Sequence, residues 1–231
     1  MKKIIVIINY NTPELTTAAI MSLYKHTPGC DVVIFDNSDR RPLFPSGRFR
    51  PEVIITDNTS GQIIPFDAWL ATIPDKQPTN NGYASAKHCL TVQWLIDHLE
   101  EPFLLIDSDI LISQDISPLF DNTQVFVGQT ELSLSRNGNV MRVLPYLLYI
   151  NVPMVKAHGV TFFNQRKMWA LTPRRPDNAY DTGAWFLEDC RNHALPYREI
   201  DISQYCIHLG HASWKKKDAQ AWLDEHEDLW L

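Results

Sequence analysis

The chain is poor in the features that announce several common activities. Its 231 residues carry 21 Lys and Arg against 27 Asp and Glu, a formal charge of −6, with an isoelectric point near 5.7. Nucleic-acid binding needs a basic face, and the one basic run, Lys215-Lys216-Lys217, is short, so no nucleic-acid partner is expected. The four cysteines, Cys30, Cys89, Cys190 and Cys206, form no CxxC pair. Their spacing suits neither a zinc site nor a disulfide framework, and reduced, mostly buried thiols in a cytoplasmic protein are the expectation. No stretch approaches the ~20 consecutive apolar residues of a membrane span. Met1-Lys2-Lys3 imitates the start of a secretion signal, but the apolar run Ile4 to Ile8 stops at Asn9 and no small-residue cleavage site follows. G-x-G-x-x-G and P-loop patterns are both absent, which argues against dinucleotide chemistry and ATP hydrolysis.

What is present is an ordinary globular composition, 45% hydrophobic and 21% charged, enough for one large α/β domain over residues 1–231. Ile4 to Ile8 is a β-branched run of the kind that parallel sheets bury on both faces. Thr12 offers an N-cap, Pro13 suits the first helical position and Glu14 favours the positive helix end. Leu15, Ala18, Ala19 and Leu23 mark an apolar helical stripe that Pro28-Gly29 ends. A second strand over Asp31 to Phe35 completes a βαβ unit, whose right-handed crossover puts both strand ends at one carboxyl edge, where open α/β sheets bind ligands. Further strands are expected over Glu52 to Thr56 and within Pro102 to Ile112, with a helix over Tyr83 to Leu99 between them. Later, strands are expected at Val125 to Val127, Leu144 to Val152 and Tyr197 to Ile202, and helices at Thr182 to Asn192 and Asp218 to Trp230.

The sharpest chemical feature is Asp107-Ser108-Asp109, placed between Phe103-Leu104-Leu105-Ile106 and Ile110-Leu111-Ile112. Two carboxylates between apolar runs are expensive unless something compensates them. A divalent cation shared with a diphosphate would do so; a turn carrying two solvated aspartates is the simpler alternative. Asp36-Asn37 ends the second strand, and Asp36 can accept a hydrogen bond from a nucleobase or ribose, or simply close an Asx turn. In Asn80-Asn81-Gly82 the glycine would let backbone approach a ligand, and the following helix offers N–H groups to phosphate. An ordinary loop-to-helix junction reads equally well.

In order, Ile8-Asn9-Tyr10-Asn11-Thr12-Pro13-Glu14-Leu15, Ser22-Leu23, Ile34-Phe35-Asp36-Asn37-Ser38, Asn80-x-Gly82 and Asp107-x-Asp109 resemble the first half of family 2 glycosyltransferases. The resemblance implies a GT-A fold, a mostly parallel central sheet flanked by helices. Residues up to about 112 would form the nucleotide-binding half, and residues from about 113 the acceptor side and a closing segment. It implies donor-binding roles for Asn9, Tyr10, Asp36, Asn80, Gly82 and Asp107, with Asp107 and Asp109 on the metal, Mn2+ or Mg2+. The helix after Gly82 carries His88 where the family often has Asn, so His88 receives no role.

The second half matches less closely. An inverting transfer needs a carboxylate to take the acceptor hydroxyl's proton. Asp181, beside Gly183, is preferred as that base over Glu188 and Asp189, although capping a helix would explain it as well. Ile207-His208-Leu209-Gly210-His211 resembles the C-terminal segment of several GT-A families, where a histidine completes the metal site. His208 is placed ahead of His211 because it follows the apolar Tyr205-Cys206-Ile207. Trp185 is the candidate acceptor contact among seven tryptophans. The expected donor is a nucleotide sugar, in first place a UDP-sugar. The expected acceptor is a glycan or lipid-linked, in a polysaccharide route, with Lys215 to Lys217 either meeting an anionic membrane face or starting a solvated helix. Retention at the anomeric carbon, sugar-phosphate nucleotidyl transfer and a non-catalytic nucleotide-sugar-binding scaffold are the alternatives. Nucleotidyltransferases usually carry a glycine-rich, arginine-containing loop where this chain has Asn9-Tyr10-Asn11-Thr12.

Overall fold

A computed structural model describes residues 2–39, 53–73, 80–133, 140–168, 180–210 and 218–231. The element order is β1 (Ile4–Asn9), α1 (Pro13–His26), β2 (Asp31–Asp36), β3 (Val53–Asp57), α2 (Phe66–Ala71), α3 (Asn80–His98), β4 (Phe103–Asp107), β5 (Ile110–Ile112), β6 (Phe126–Gly128), β7 (Thr130–Ser133), β8 (Val140–Val143), β9 (Leu147–Ile150), α4 (Val152–His158), α5 (Ala184–Asn192), β10 (Arg198–Glu199), β11 (Cys206–His208), α6 (Ala219–Glu225) and α7 (Glu227–Trp230). The main sheet runs β10-β6-β9-β4-β1-β2-β3. It is parallel from β4 through β3, and β9 enters antiparallel between β4 and β6.

Apolar runs buried on both faces explain the central strands. Alternate residues of β1 and β4 pack to opposite sides: Ile4, Val6, Phe103 and Leu105 join one core, Ile5, Ile7, Leu104 and Ile106 the other. The first core is covered by α3, through Cys89, Val92, Leu95 and Ile96, and by Phe186 and Leu187 of α5. The second is covered by Ile20 and Leu23 of α1 and by Ile110 and Ile112 of β5. All four cysteines are buried and unpaired, as expected for structural thiols.

Several local expectations need correction. Helix α3 starts at Asn80, so Asn80-Asn81-Gly82 forms its first turn instead of a loop before it. Val152 belongs to α4, not to a strand: the Asn151 side chain accepts from Met154 N, and proline sits in the first turn, a start signal that the apolar run around it obscures. The stretch expected as a strand over Tyr197 to Ile202 is only the two-residue β10 followed by a 3-10 turn. The last helix breaks at His226, and the break turns Leu229 and Trp230 back onto Leu15 and Ala18 of α1. The Thr12 side chain does not cap α1; it bonds Asn9 and Ser108 instead.

Helix α5 begins at Ala184, with Gly183 at its N-cap in the left-handed region at φ 81°. A Cβ on Gly183 would lie 2.1 Å from the Val143 carbonyl oxygen of β8, so the close docking of α5 on the β7–β8 hairpin depends on glycine. Gly183→Ala is expected to destabilise the fold by at least about 2 kcal/mol in denaturant unfolding. Gly159→Ala serves as the control: Gly159 has φ +67° and open space around a Cβ, and it should lose only about 1 kcal/mol.

Candidate active site

The parallel register brings three carboxylates to the carboxyl edge of the sheet, Asp36 and Asp57 level with each other and Asp107 one residue short of them. Asn9 of β1 pairs with Asp36 of β2, Asp36 with Asp57 of β3, and Ile8 with Asp107 of β4. Like charges at one sheet edge repel, and each must be offset locally. Asp36 Oδ1 accepts from Asn9 Nδ2 at 2.9 Å and from Ser38 N and Oγ at 3.1 and 2.6 Å. Asp57 Oδ1 accepts from Thr59 N and Oγ1. The Asp107 carboxylate accepts no hydrogen bond from the described residues; the imidazole it faces is that of His88, whose Nε2 lies 3.9 Å from Oδ1. Burial and the neighbouring Asp109 push the Asp107 pKa above the usual carboxylate range, against the pull of His88 and His208.

Asp109 lies in the turn between β4 and β5, and its backbone oxygen accepts Leu209 N at 3.0 Å. That contact extends the antiparallel pairing of β5 with β11, in which His208 faces Ile110. The pairing carries His208 across 99 residues of chain to place Nε2 3.2 Å from Asp109 Oδ1. Tyr146 stacks on the His208 ring at 4.2 Å between centroids, and its backbone oxygen accepts Asp107 N. One ligand atom each from Asp107, Asp109 and His208 lies within 4.8 Å of the others, a spacing that one cation's coordination sphere spans. Two hard carboxylate oxygens with one imidazole suit a manganese-like divalent ion, and the uncompensated charge on Asp107 is what such an ion would offset. The donor set therefore fits a divalent metal. His211 and Lys215 to Lys217 lie outside the described residues.

The loop after β1 is built differently from the expectation for Asn9. Its side chain is fully buried: Nδ2 donates to Asp36 and Ser38, and Oδ1 accepts from Thr12 N, Thr12 Oγ1 and Thr16 Oγ1. Asn9 ties β1, β2 and α1 together and has no atom left for a donor. Asp36 is likewise buried and serves the same knot. The rim is formed instead by Tyr10, whose hydroxyl donates to Asp39 Oδ2 at 2.8 Å and whose ring lies 5.1 Å from Lys87 Nζ. Burial and Asp39 push the Tyr10 hydroxyl up to about 12, so it stays a proton donor. Asn11, at φ 58°, locks this rim by exchanging two bonds with Asp39. The backbone of Asn80 and Gly82 lies in α3; the side chain of Asn80 is outside the described residues.

On the other flank, Asp181 is not a helix cap. Its Oδ1 accepts its neighbour's Thr182 N at 2.7 Å, and its Oδ2 accepts Arg142 Nη1 at 2.9 Å. The same guanidinium holds Glu131 across the β7–β8 hairpin. Burial pushes the Tyr146 hydroxyl up to about 12, with Glu131 acting in the same direction. Asp189 is buried and accepts from Thr161 N and Oγ1, so it stitches α5 to the loop before it and is not placed to be a base. Glu188 accepts the Tyr180 hydroxyl and pairs with Lys167 at 3.6 Å. Trp185 donates from Nε1 to Thr161 Oγ1, with Lys167 Nζ 5.8 Å from its ring centre. Sequence reasoning missed Arg142, Tyr146, Asp39 and Lys87, which belong to no motif and gain meaning only from their neighbours.

No family model matches the chain, and no curated protein matches it. Solved structures do. The glycosyltransferase GlyE of Streptococcus pneumoniae TIGR4 matches with a TM-score of 0.51 at 14% identity, over 88% of this chain and 46% of that one. Mouse xyloside xylosyltransferase 1 matches with a TM-score of 0.51 at 11% identity, over 88% of this chain and 86% of that one. The bifunctional glycosyltransferase WbbM matches with a TM-score of 0.50 at 11% identity, over 87% of this chain and 39% of that one. This chain thus spans less than half the length of GlyE and WbbM. At these identities the likeness defines the class of fold: the chain has the GT-A fold of glycosyltransferases.

The raised Asp107 pKa has a stability consequence with a definite sign. An acid whose folded pKa exceeds its unfolded value binds its proton more readily when folded, so stability is lost as pH rises through that range. Asp107→Asn is therefore expected to raise the melting temperature at neutral pH in chelator, while Mn2+ raises that of the wild type but not of the variant. A variant no more stable than wild type in chelator would show that Asp107 is already compensated within the protein.

Proposed function

We infer that the chain is a metal-dependent glycosyltransferase that moves a sugar from a nucleotide-sugar donor, in first place a UDP-sugar, to a glycan or lipid-linked acceptor. The observation that carries this reading is the delivery of His208 by β11 onto Asp107-Ser108-Asp109 at the carboxyl edge of the sheet. The chain would work as one unit, the strands to about residue 112 holding the nucleotide and the remainder building the acceptor side. Asp107, Asp109 and His208 would hold the ion. A divalent ion there neutralises diphosphate charge and favours departure of the nucleoside diphosphate. Tyr10, with Asp39 beside it, would receive the nucleoside at the end of β1, and Trp185 would line the acceptor side.

In an inverting transfer Asp181 would accept the acceptor hydroxyl's proton as that oxygen bonds the anomeric carbon and the carbon–phosphate oxygen bond breaks. One observation favours the second reading, retention: both Asp181 oxygens already accept hydrogen bonds, which suits a positioning role with Arg142. The configuration of the product's anomeric proton, read by NMR, separates the two.

The activity test is nucleotide release across a panel of nucleotide sugars, with and without Mn2+, for wild type and Asp109→Ala. Metal-dependent release from one donor, reduced at least about a hundredfold in the variant as removal of a preorganised charge-stabilising group typically does, is the expected outcome. Metal-independent nucleotide binding without turnover, with or without acceptor, would favour the scaffold, and incorporation from a nucleoside triphosphate would favour nucleotidyl transfer.

A further inference from the structure

Helix α3 carries Lys87 and His88 in succession, and the helix directs them to different strand ends. Lys87 Nζ donates to the Asn37 backbone oxygen at 2.8 Å, beyond β2. His88 Nε2 reaches the end of β4, 3.9 Å from Asp107 Oδ1. That is close enough for charge to matter and too long for a hydrogen bond. His88 Nε2 is shut off from solvent and has no hydrogen-bond partner among the described residues. A buried imidazole nitrogen left unpaired costs stability, and such an atom beside a ligand-type cluster is where a missing partner belongs. The rest of the side chain is not sealed into the core: 18% of it is exposed, as is 27% of that of Asp107.

We propose that His88 recognises the diphosphate of the donor, its Nε2–H donating to a phosphate oxygen beside the cation site. This rests on the transferase reading above. A phosphate explains the nitrogen better than a fourth metal ligand does. The three atoms that gather within 4.8 Å come from Asp107, Asp109 and His208, without His88. A hydrogen-bond donor flanking a cation meets the oxygens that the cation itself attracts, and a bond to a charged oxygen is among the stronger ones. The neighbouring lysine is directed elsewhere, its ammonium group donating to the Asn37 backbone oxygen beyond β2. His88 thus serves the ligand, with Asp107 as the wall it leans toward.

The test uses the full chain, UDP as probe, and two substitutions that fill the same space. His88→Phe keeps the volume and removes the donor. His88→Gln places an amide N–H near the position of Nε2. Calorimetry in Mn2+ is expected to show UDP affinity falling about tenfold or more in His88→Phe, the usual loss for a hydrogen bond to a charged group, and mostly retained in His88→Gln. Mn2+ binding without nucleotide, followed by the paramagnetic resonance of the free ion, should be unchanged in both. Equal UDP affinity in wild type and His88→Phe would overturn the proposal, as would equal losses in the Phe and Gln variants. A fall in Mn2+ affinity without nucleotide would also overturn it, by making His88 a support for Asp107. If wild type itself binds no UDP in Mn2+, the transferase reading fails and this proposal goes with it.

Discussion

Like-charge repulsion at the carboxyl edge of the sheet is the constraint around which this protein is organised. Burying β1, β2 and β4 on both faces leaves polar groups nowhere but the strand ends, and the parallel register gathers Asp36, Asp57 and, one residue lower, Asp107 at that edge. Two of these carboxylates are answered within their own turns, Asp36 by Ser38 and Asn9, Asp57 by Thr59. Asp107 is not, and a second carboxylate, Asp109, is set next to it. Two strand-end aspartates are thus satisfied locally while the third stands close to a fourth, an arrangement that a divalent cation would relieve.

The surrounding structure converges on the same point. The knot centred on Asn9 stiffens the ends of β1 and β2 and, through Thr12 and Ser108, ties the start of α1 to the turn after β4. The β5–β11 pairing adds His208, and Tyr146 covers that imidazole. Helix α3 brings Lys87 and His88 to the edge. Each piece is positioned by backbone pairing or buried hydrogen bonds rather than by exposed side chains, which is what a preorganised charge-handling site requires.

Much of the first half was legible in order. Apolar runs of β-branched residues located β1, β2 and β4 because burial on both faces leaves no other arrangement for them, and Asp107-x-Asp109 was conspicuous because charge between apolar runs needs compensation. Roles within the motifs were less legible. Asn9 sits in the stretch that resembles a donor site, yet full burial makes it structural. Asp181 looks like a cap from its place before a helix, whereas Gly183 begins that helix and Arg142 claims the carboxylate. Residues such as Tyr146 and Arg142 carry no periodic or motif signal at all.

The sequence by itself determined the strand runs, the carboxylate pair and the lack of other cofactor motifs, because periodicity, β-branching and charge placement are local properties. Only the tertiary structure decided that His208 meets Asp109 across 99 residues, that His88 faces Asp107, and that Asp181 is paired. Those contacts arise from strand register and helix docking between distant segments. Short elements such as β11, three residues long, have too little local pattern to announce where they pair.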